Sequence, residues 1–193
     1  MKVDSVTQHH PGRDFLMRYR RVMLPGGTYF FTIVTYQRRK LFSQPGNVDI
    51  LMTVMEDVRR RHPFITIAQV IMPDHIHTIW ELPPNDRDYP KRWRLIKTGF
   101  TKRLPAAYDL PISASRQSKK ERTIWQRRYW EHTIEDDTDL DRHIDYVHFN
   151  PVNHGLVKYP HEWKGSTFLR FVEEGYYPKD WATTDIFKGI GGE

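Results

Sequence analysis

The sequence predicts an α+β fold, in which a four-stranded antiparallel sheet of βαββαβ order carries its helices on one face. Two observations predict it. Four segments rich in β-branched and aromatic residues have the length of strands, and helical apolar spacing separates the first strand from the second and the third from the fourth. Only a Pro-Asp pair separates the second strand from the third, which indicates a hairpin.

The first half of the chain supplies a strand, a helix and the hairpin. Residues 29–36 (YFFTIVTY) form the first predicted strand. Asn47 is a candidate N-cap for a helix ending at about Arg61, whose apolar residues recur at helical spacing. Residues 64–72 and 75–82 form the second and third strands.

The second half begins with a basic amphipathic helix at residues 91–104. Residues 105–122 lack periodicity and are interpreted as a flexible loop. A fourth strand is predicted at 124–134, and a helix with an acidic first turn, as the helix dipole favours, at 136–149. The first six elements match the ferredoxin-like pattern. A packed tail with a short helix near 166–174 follows the helix at 136–149.

The length of 193 residues predicts one domain spanning 1–193. We divide it into an N-terminal arm (1–27), a core (28–150) and a C-terminal tail (151–193). The absence of cysteine excludes disulfides, thiolate metal sites and cysteine nucleophiles. With no signal peptide and no apolar run of ~18 residues, we expect a cytoplasmic protein without membrane contact.

Positive charge is concentrated in the middle of the chain. Residues 87–128 contain 13 Lys or Arg and 3 Asp or Glu, whereas residues 129–193 contain 6 and 13. A basic block of this kind is typical of a surface that binds a polyanion such as nucleic acid. A solvated loop and helix face remains the alternative interpretation.

His75-Ile76-His77 is the first candidate for chemistry. In a strand, alternate side chains share a face, so the two imidazoles point the same way and Ile76 points to the other face. Two imidazoles at this spacing can bind one metal ion. Surface histidines bonded to other partners are the alternative.

Tyr146 and Asn150 are the second candidate, because residues four apart share one face of a helix. The buried stripe of this helix is predicted from three apolar residues, Leu140, Ile144 and Val147. Tyr146 lies off that stripe and is expected to be exposed rather than part of the core. Asn150 precedes Pro151, so a helix C-cap is the alternative interpretation of the asparagine.

Several segments together resemble one family. MPDHIH (72–77) and YVHFNPVNHGLV (146–157) resemble the HUH single-tyrosine transposases of the insertion-sequence type. The opening segment YRRVMLPGGTYFFTIVTYQRR, the segment WQRRYWEHTI and the closing segment YPHEWKGSTFLRFVEEGYYPKDWA resemble, more closely, the REP-associated tyrosine transposases of bacteria. The resemblance covers nearly the whole chain.

The resemblance implies that His75 and His77 are metal ligands and that Tyr146 is the nucleophile. It implies that Asn150 is the third protein ligand, where insertion-sequence relatives often have the longer Gln. The metal implied is Mg²⁺ or Mn²⁺. The implied reaction cleaves and rejoins single-stranded DNA at hairpins of repetitive extragenic palindromes (REP) through a 5′-phosphotyrosine. His143 is a candidate to deprotonate Tyr146, although a solvent-exposed histidine is the simpler interpretation.

Single-stranded or hairpin DNA is therefore the expected partner, and aromatic rings interleave with cations in WQRRYW as in proteins that stack on single strands. The candidate DNA-binding residues are Arg18, Arg20 and Arg21 in the arm, Lys91, Arg92, Arg94, Lys97, Lys102 and Arg103 on the basic helix, and Arg127 and Arg128. The block is favoured over the arm for phosphate contacts, and the arm is expected to read the foot of the hairpin.

Two alternative functions stay open, and a third is excluded. A non-catalytic hairpin-binding protein and a relaxase or replication-initiator type of nickase remain possible functions. A metal hydrolase built on a (β/α)₈ barrel is excluded, because that fold needs ~250 residues and eight strand–helix units. No GxxxxGK[ST] loop is present, so no nucleotide cofactor is expected. The resemblance favours a monomer, and a dimer remains open.

Overall fold

The computed structural model describes residues 23–181, so most of the predicted arm, including Arg18, Arg20 and Arg21, lies outside the described residues. The strands are β1 (Thr28–Val34), β2 (Ile65–Ile71), β3 (His75–Glu81) and β4 (Trp130–Thr133). The helices are α1 (Asn47–Arg61), α2 (Tyr89–Arg103), α3 (Ala114–Ser118), α4 (Asp137–Asn153) and α5 (Phe168–Glu173). Between residues 23 and 181 no helix is long and apolar enough to cross a membrane.

The four strands form one sheet in the order β2-β3-β1-β4, and every neighbouring pair is antiparallel. This order confirms the predicted ferredoxin-like α+β fold. The hairpin between β2 and β3 closes where the Met72 amide donates to the His75 carbonyl oxygen at 2.8 Å. In this strand order, β3 lies inside the sheet, between β2 and β1.

Helices α1 and α2 cover one face of the sheet, as predicted. Tyr29, Phe31 and Ile33 alternate along β1 toward this face and join a buried cluster with α1 and α2. The Trp80 ring of β3 stacks on Trp93 of α2, with ring centroids 4.2 Å apart. We call this apolar side the core face.

Helix α4 covers the opposite face, which we call the site face. The cluster there is smaller, and Phe30, Val70 and Ile79 of the sheet pack with Val147 of α4. Phe171 of α5 belongs to the same cluster, so the short helix predicted in the tail packs onto the site face, a position that the sequence did not indicate.

The chain that precedes α5 also covers the free edge of β2. The Thr167 amide donates to the Gln69 carbonyl oxygen at 2.9 Å, and the Ile71 amide donates to the Gly165 carbonyl oxygen at 2.8 Å. Val70 and Ser166 form an isolated antiparallel bridge. The tail therefore supplies a short strap along half of this edge.

Three local predictions need correction. Gly46, with a φ of 77°, is the N-cap of α1, and the side-chain Nδ2 of Asn47 instead donates to the Leu41 carbonyl oxygen at 2.8 Å. Strand β4 is confined to 130–133, because the residues before it contribute only an isolated bridge between Thr35 and Trp125. The segment 105–122 contains α3 and is not a featureless loop, since the Arg122 guanidinium binds three carbonyl oxygens at the end of α2.

Candidate active site

His75 and His77 lie side by side on β3 and point to the site face, as the alternation predicted. Their ring centroids are 4.6 Å apart, and their side chains are 1% and 0% exposed. Ile76 between them belongs to the core-face cluster. Because β3 is an inner strand covered by α4, these are not surface histidines.

Each histidine is held through its Nδ1 atom. The Nδ1 atom of His75 lies 2.6 Å from the Asp74 carboxylate, and the Nδ1 atom of His77 lies 3.0 Å from the Thr32 hydroxyl. Burial tends to raise the pKa of Asp74, but its hydrogen bond with His75 and the nearby Arg38 hold that pKa below its usual value. With Nδ1 engaged, Nε2 is the atom through which each ring can bind a metal ion.

Tyr146 lies on α4 directly against this pair. Its ring centroid is 5.0 Å from that of His77 and 5.8 Å from that of Phe30. The side chain is 5% exposed, so the prediction of an exposed tyrosine was wrong. The apolar stripe underestimated the buried surface of α4, because the sheet covers one side of the helix and the tail covers another.

Asn150 lies inside α4, which continues to Asn153, so the C-cap interpretation was wrong. Pro151 lies in the last turn of α4, and the helix continues beyond it because the His154 backbone amide donates to the Asn150 carbonyl oxygen at 3.0 Å. The Asn150 side chain is 1% exposed, and within residues 23–181 neither its amide nitrogen nor its amide oxygen has a hydrogen-bond partner. A buried amide without a protein partner is rare in folded proteins, and its oxygen is free to bind an ion.

The position of Asn150 relative to the histidines follows from its neighbours on α4. Tyr146 packs on His77, and His154 packs on His75 with centroids 5.6 Å apart. Asn150 is halfway between Tyr146 and His154 along one helix face, so it lies over the same two histidines. His154 was missed by the sequence reasoning, although its spacing of eight residues from Tyr146 was a signal for it.

These residues fit a divalent metal ion. Two imidazole nitrogens and one amide oxygen form a mixed nitrogen and oxygen donor set, which suits Mn²⁺ and similar ions. Asp74 and Thr32 hold the imidazoles in place, as outer partners of metal-binding histidines do. The unsatisfied Asn150 amide is the feature that the metal would explain best.

The other two histidines of α4 have different surroundings. His148 faces the tail, its Nε2 atom lies 2.9 Å from the Thr167 hydroxyl, and burial lowers its pKa to about 3. His143 is also buried, which corrects the expectation that it is exposed, and it packs on Phe30 with centroids 4.9 Å apart. Burial lowers the pKa of His143 despite the neighbouring Asp139 carboxylate.

The basic block forms an open groove of about 780 Å³ on the core-face side of the molecule, between α2 and residues 116–129. The groove is lined by basic side chains and by aromatic rings that include Trp125 and Tyr129. The Lys97 ammonium lies 5.7 Å from the Trp125 ring centroid and 5.8 Å from that of Tyr129. The basic side chains suit a surface that follows a nucleic-acid backbone, whereas Trp125 is only 6% exposed and belongs to the core cluster, so its ring is not an open stacking platform.

The predicted DNA-binding residues of the block do not all share this environment. Arg92 is 2% exposed and its guanidinium binds Asp86 and the carbonyl oxygens of His62 and Pro63, so it is a structural residue that we remove from the set. Arg103 pairs with Asp57 and Arg127 with Glu121. The exposed residues of the predicted set that make no ion pair with any described residue are Lys91, Arg94, Lys102 and Arg128.

Comparison with known proteins gives a consistent assignment. The family model of the IS200-like transposases matches residues 25–150. A REP-associated tyrosine transposase of Haemophilus influenzae is 42% identical over 166 residues, covering 86% of this chain and 93% of the relative. The REP-associated tyrosine transposase of Escherichia coli is 39% identical over 176 residues, covering 90% of this chain and 97% of the relative.

A solved structure of a REP-associated tyrosine transposase bound to a REP hairpin also matches. It superposes with a TM-score of 0.76 at 36% identity, covering 92% of this chain and 98% of that one. The family model thus spans the sheet and α4 up to Asn150, and the relatives and the solved structure cover 86–92% of the chain. The chain belongs to the REP-associated tyrosine transposases of the IS200-like transposase family.

Proposed function

We propose that the protein is a metal-dependent endonuclease and strand transferase that cleaves and rejoins single-stranded DNA at REP hairpins through a 5′-phosphotyrosine. The observation that carries the proposal is the packing of Tyr146 on His77, with ring centroids 5.0 Å apart. A hydroxyl nucleophile beside a pair of metal-binding imidazoles is the arrangement that this chemistry requires.

His75, His77 and Asn150 would hold the divalent ion, Mg²⁺ or Mn²⁺. Bound there, it would polarise the scissile phosphate and stabilise the negative charge that builds on the phosphoryl oxygens. Asp74 and Thr32 orient the two imidazoles by their bonds to Nδ1.

Tyr146 performs the bond-making step. Its hydroxyl oxygen attacks phosphorus, the new bond joins phosphorus to the tyrosine oxygen, and the bond to the 3′-oxygen of the preceding nucleotide breaks. The tyrosine proton passes to a base or to solvent, and the departing oxygen leaves as a 3′-hydroxyl. Attack by another 3′-hydroxyl on the phosphotyrosine reverses the step and joins the strands, so no external energy source is needed.

The groove beside α2 is proposed to hold the DNA backbone. The hairpin complex of the matching REP-associated transposase supports a hairpin as substrate for this chain as well. Arg94, Lys97 and Lys102 line the groove, and we propose them, with Lys91 and Arg128 nearby, as phosphate contacts. The predicted arm contacts from Arg18, Arg20 and Arg21 stay part of the proposal.

We propose that one chain is the active unit. His77 and Tyr146 meet within a single chain, so the site needs no residue from a second copy. The strap at Gly165 and Thr167 covers half of the β2 edge, through which a second sheet could otherwise pair. Mixing Tyr146→Phe and His77→Ala proteins tests this, because restored cleavage would require that two chains share a site.

The decisive experiment incubates the protein with hairpin DNA in Mn²⁺ or Mg²⁺ and analyses the product on a denaturing gel. A label at the 3′ end should move with the protein, and a label at the 5′ end should appear on a free fragment ending in a 3′-hydroxyl. Tyr146→Phe should retain hairpin binding and form no adduct, since it removes only the hydroxyl.

Three results would contradict the proposal. An adduct formed by the Phe variant would show that another residue is the nucleophile. Binding of the hairpin by the native chain without any adduct would favour the non-catalytic alternative, and an adduct on duplex DNA alone would favour the replication-initiator alternative.

A further inference from the structure

A second group of metal-binding side chains lies at the start of α4, outside the site described above. His132 of β4, with Asp139 and His143 of α4, each contribute one potential ligand atom, and these atoms all lie within 4.8 Å of one another. His143 is buried and the other two are half-buried, so the group opens to solvent on one side.

The fold brings these three residues together. His132 pairs with Phe30 in the β1–β4 register and points to the site face, where the first turn of α4 passes over it. The His132 Nε2 atom lies 2.7 Å from one Asp139 carboxylate oxygen, and the His143 Nδ1 atom lies 3.0 Å from the other. The two imidazole rings stack, with centroids 4.7 Å apart and planes 13° from parallel.

The charge around the group favours a cation. Within residues 23–181, Asp139 forms no ion pair with a lysine or an arginine. Four further acidic residues lie nearby in the sequence, at Glu135, Asp136, Asp137 and Asp141. The positive end of the helix dipole opposes a cation here, but the Asp136 carboxylate already accepts the Asp139 amide at 2.8 Å.

The group is separate from the His75 and His77 pair. The Phe30 ring lies between them, with its centroid 5.5 Å from that of His77 and 4.9 Å from that of His143. An apolar ring in this position prevents one ion from being shared by both groups.

We propose that His132, Asp139 and His143 form a second metal site that takes a transition metal of the Zn²⁺ class. Two imidazoles and one carboxylate are preferred by Zn²⁺ and its neighbours over Mg²⁺. Tetrahedral Zn²⁺ with bonds of ~2.0–2.2 Å spaces its ligand atoms by about 3.3–3.6 Å, so the observed contacts need to open slightly. To bind the ion, the His143 Nδ1 atom must exchange its 2.8 Å contact with the Asp139 backbone carbonyl oxygen for a bond to the metal. Each ring then presents a lone pair, with the ring proton on the other nitrogen, and water completes the coordination.

The bound ion would fix β4 to the first two turns of α4, and His143 lies one turn before Tyr146. It would therefore stabilise the helix that carries the nucleophile without contacting the DNA. The inference does not depend on the chemistry proposed for Tyr146, and the two metal sites can be tested independently.

The test measures the stoichiometry of Zn²⁺ by equilibrium dialysis and elemental analysis, using the full chain and four variants. The native protein should bind two ions. The double variant His75→Ala/His77→Ala should bind one, and adding Asp139→Asn to it should remove that ion. His132→Gln serves as a second probe if Asp139→Asn does not fold, and thermal unfolding of each variant in EDTA checks folding.

The inference is supported further if Zn²⁺ raises the melting temperature of the His75→Ala/His77→Ala protein and fails to do so after Asp139→Asn. It is overturned if the double variant binds no ion, because the group is then only a hydrogen-bonded connection between β4 and α4. It is also overturned if the ion survives both Asp139→Asn and His132→Gln. Loss of one native ion upon Asp139→Asn alone, with none lost in the double variant, would support this site and contradict the metal role proposed for His75 and His77.

Discussion

The two faces of β3 serve opposite purposes, although they alternate residue by residue. Ile76 and Trp80 point to the core face and are completely buried among apolar side chains from α1 and α2. His75 and His77 point to the site face and are buried just as deeply, together with Asn150 of α4. One strand thus contributes to both the apolar core and the proposed metal site.

The difference shows where stability is gained and where it is given up. Burial of Trp80 removes a large apolar surface from water and stabilises the fold. The burial of polar imidazoles costs free energy, and so does the burial of an amide that has no hydrogen-bond partner. A bound ligand can compensate for both costs. Substitutions on the site face are therefore predicted to lower activity more than stability. Substitutions on the core face are predicted to lower stability more than activity.

The largest effect is expected from the metal-binding pair. His75→Ala or His77→Ala should abolish cleavage that depends on a divalent ion, because one imidazole alone binds the ion poorly. Ile76→Val is the matched control on the other face of the same strand, and it should cleave normally while losing about 1 kcal/mol of unfolding free energy. Gel assays in Mn²⁺ and in EDTA measure the effect, and cleavage that continues unchanged in EDTA would refute the metal site.

The next effect concerns the core face. Trp80→Ala should lower the free energy of unfolding by about 3–5 kcal/mol, since it leaves a cavity beneath Trp93. Trp80→Phe should lower it less. Denaturant unfolding measures both losses. A Trp80→Ala protein with native stability would contradict the conclusion that the core face supplies the stability of the fold.

A smaller effect is expected at Asn150. Asn150→Ala should weaken metal use less than loss of a histidine, so cleavage should fall at limiting Mn²⁺ and recover at high Mn²⁺. Because the amide has no hydrogen-bond partner among the described residues, its removal should leave the melting temperature in EDTA unchanged or slightly higher. A large loss of stability in EDTA would instead indicate a structural role for this side chain.

The smallest effect is expected in the groove. Neutralising Arg94 and Lys102 should make hairpin affinity less dependent on salt, with the slope of log affinity against log salt reduced by about 2, since each phosphate contact releases counterions. Arg59→Gln on α1, which removes a surface arginine paired with Glu56, is the matched control. If the slope changes only when Arg18, Arg20 and Arg21 are replaced, the arm and not the groove binds the phosphates.

Most elements of the fold and the local geometry of the site could be predicted from residue patterns alone. Alternation in β3 was enough to put His75 and His77 on one face, and the four-residue spacing was enough to put Tyr146 and Asn150 on one side of a helix. Both relations are local consequences of backbone geometry. The antiparallel strand order could also be predicted, because few topologies are compatible with the βαββαβ order of the six elements.

Which surfaces are covered depends on long-range packing, which residue patterns do not describe. Tyr146 was predicted to be exposed, but the sheet and the tail cover α4 on two sides and bury it. Arg92 lies in the middle of a basic block, yet its bonds to Asp86 and to the carbonyl oxygens of His62 and Pro63 make it structural. The contacts between His143 of α4 and His132 of β4 likewise depend on how the helix passes over the sheet. A sequence pattern describes each helix or strand without specifying the element that packs against it. Burial and charge pairing depend on which element the fold places beside it.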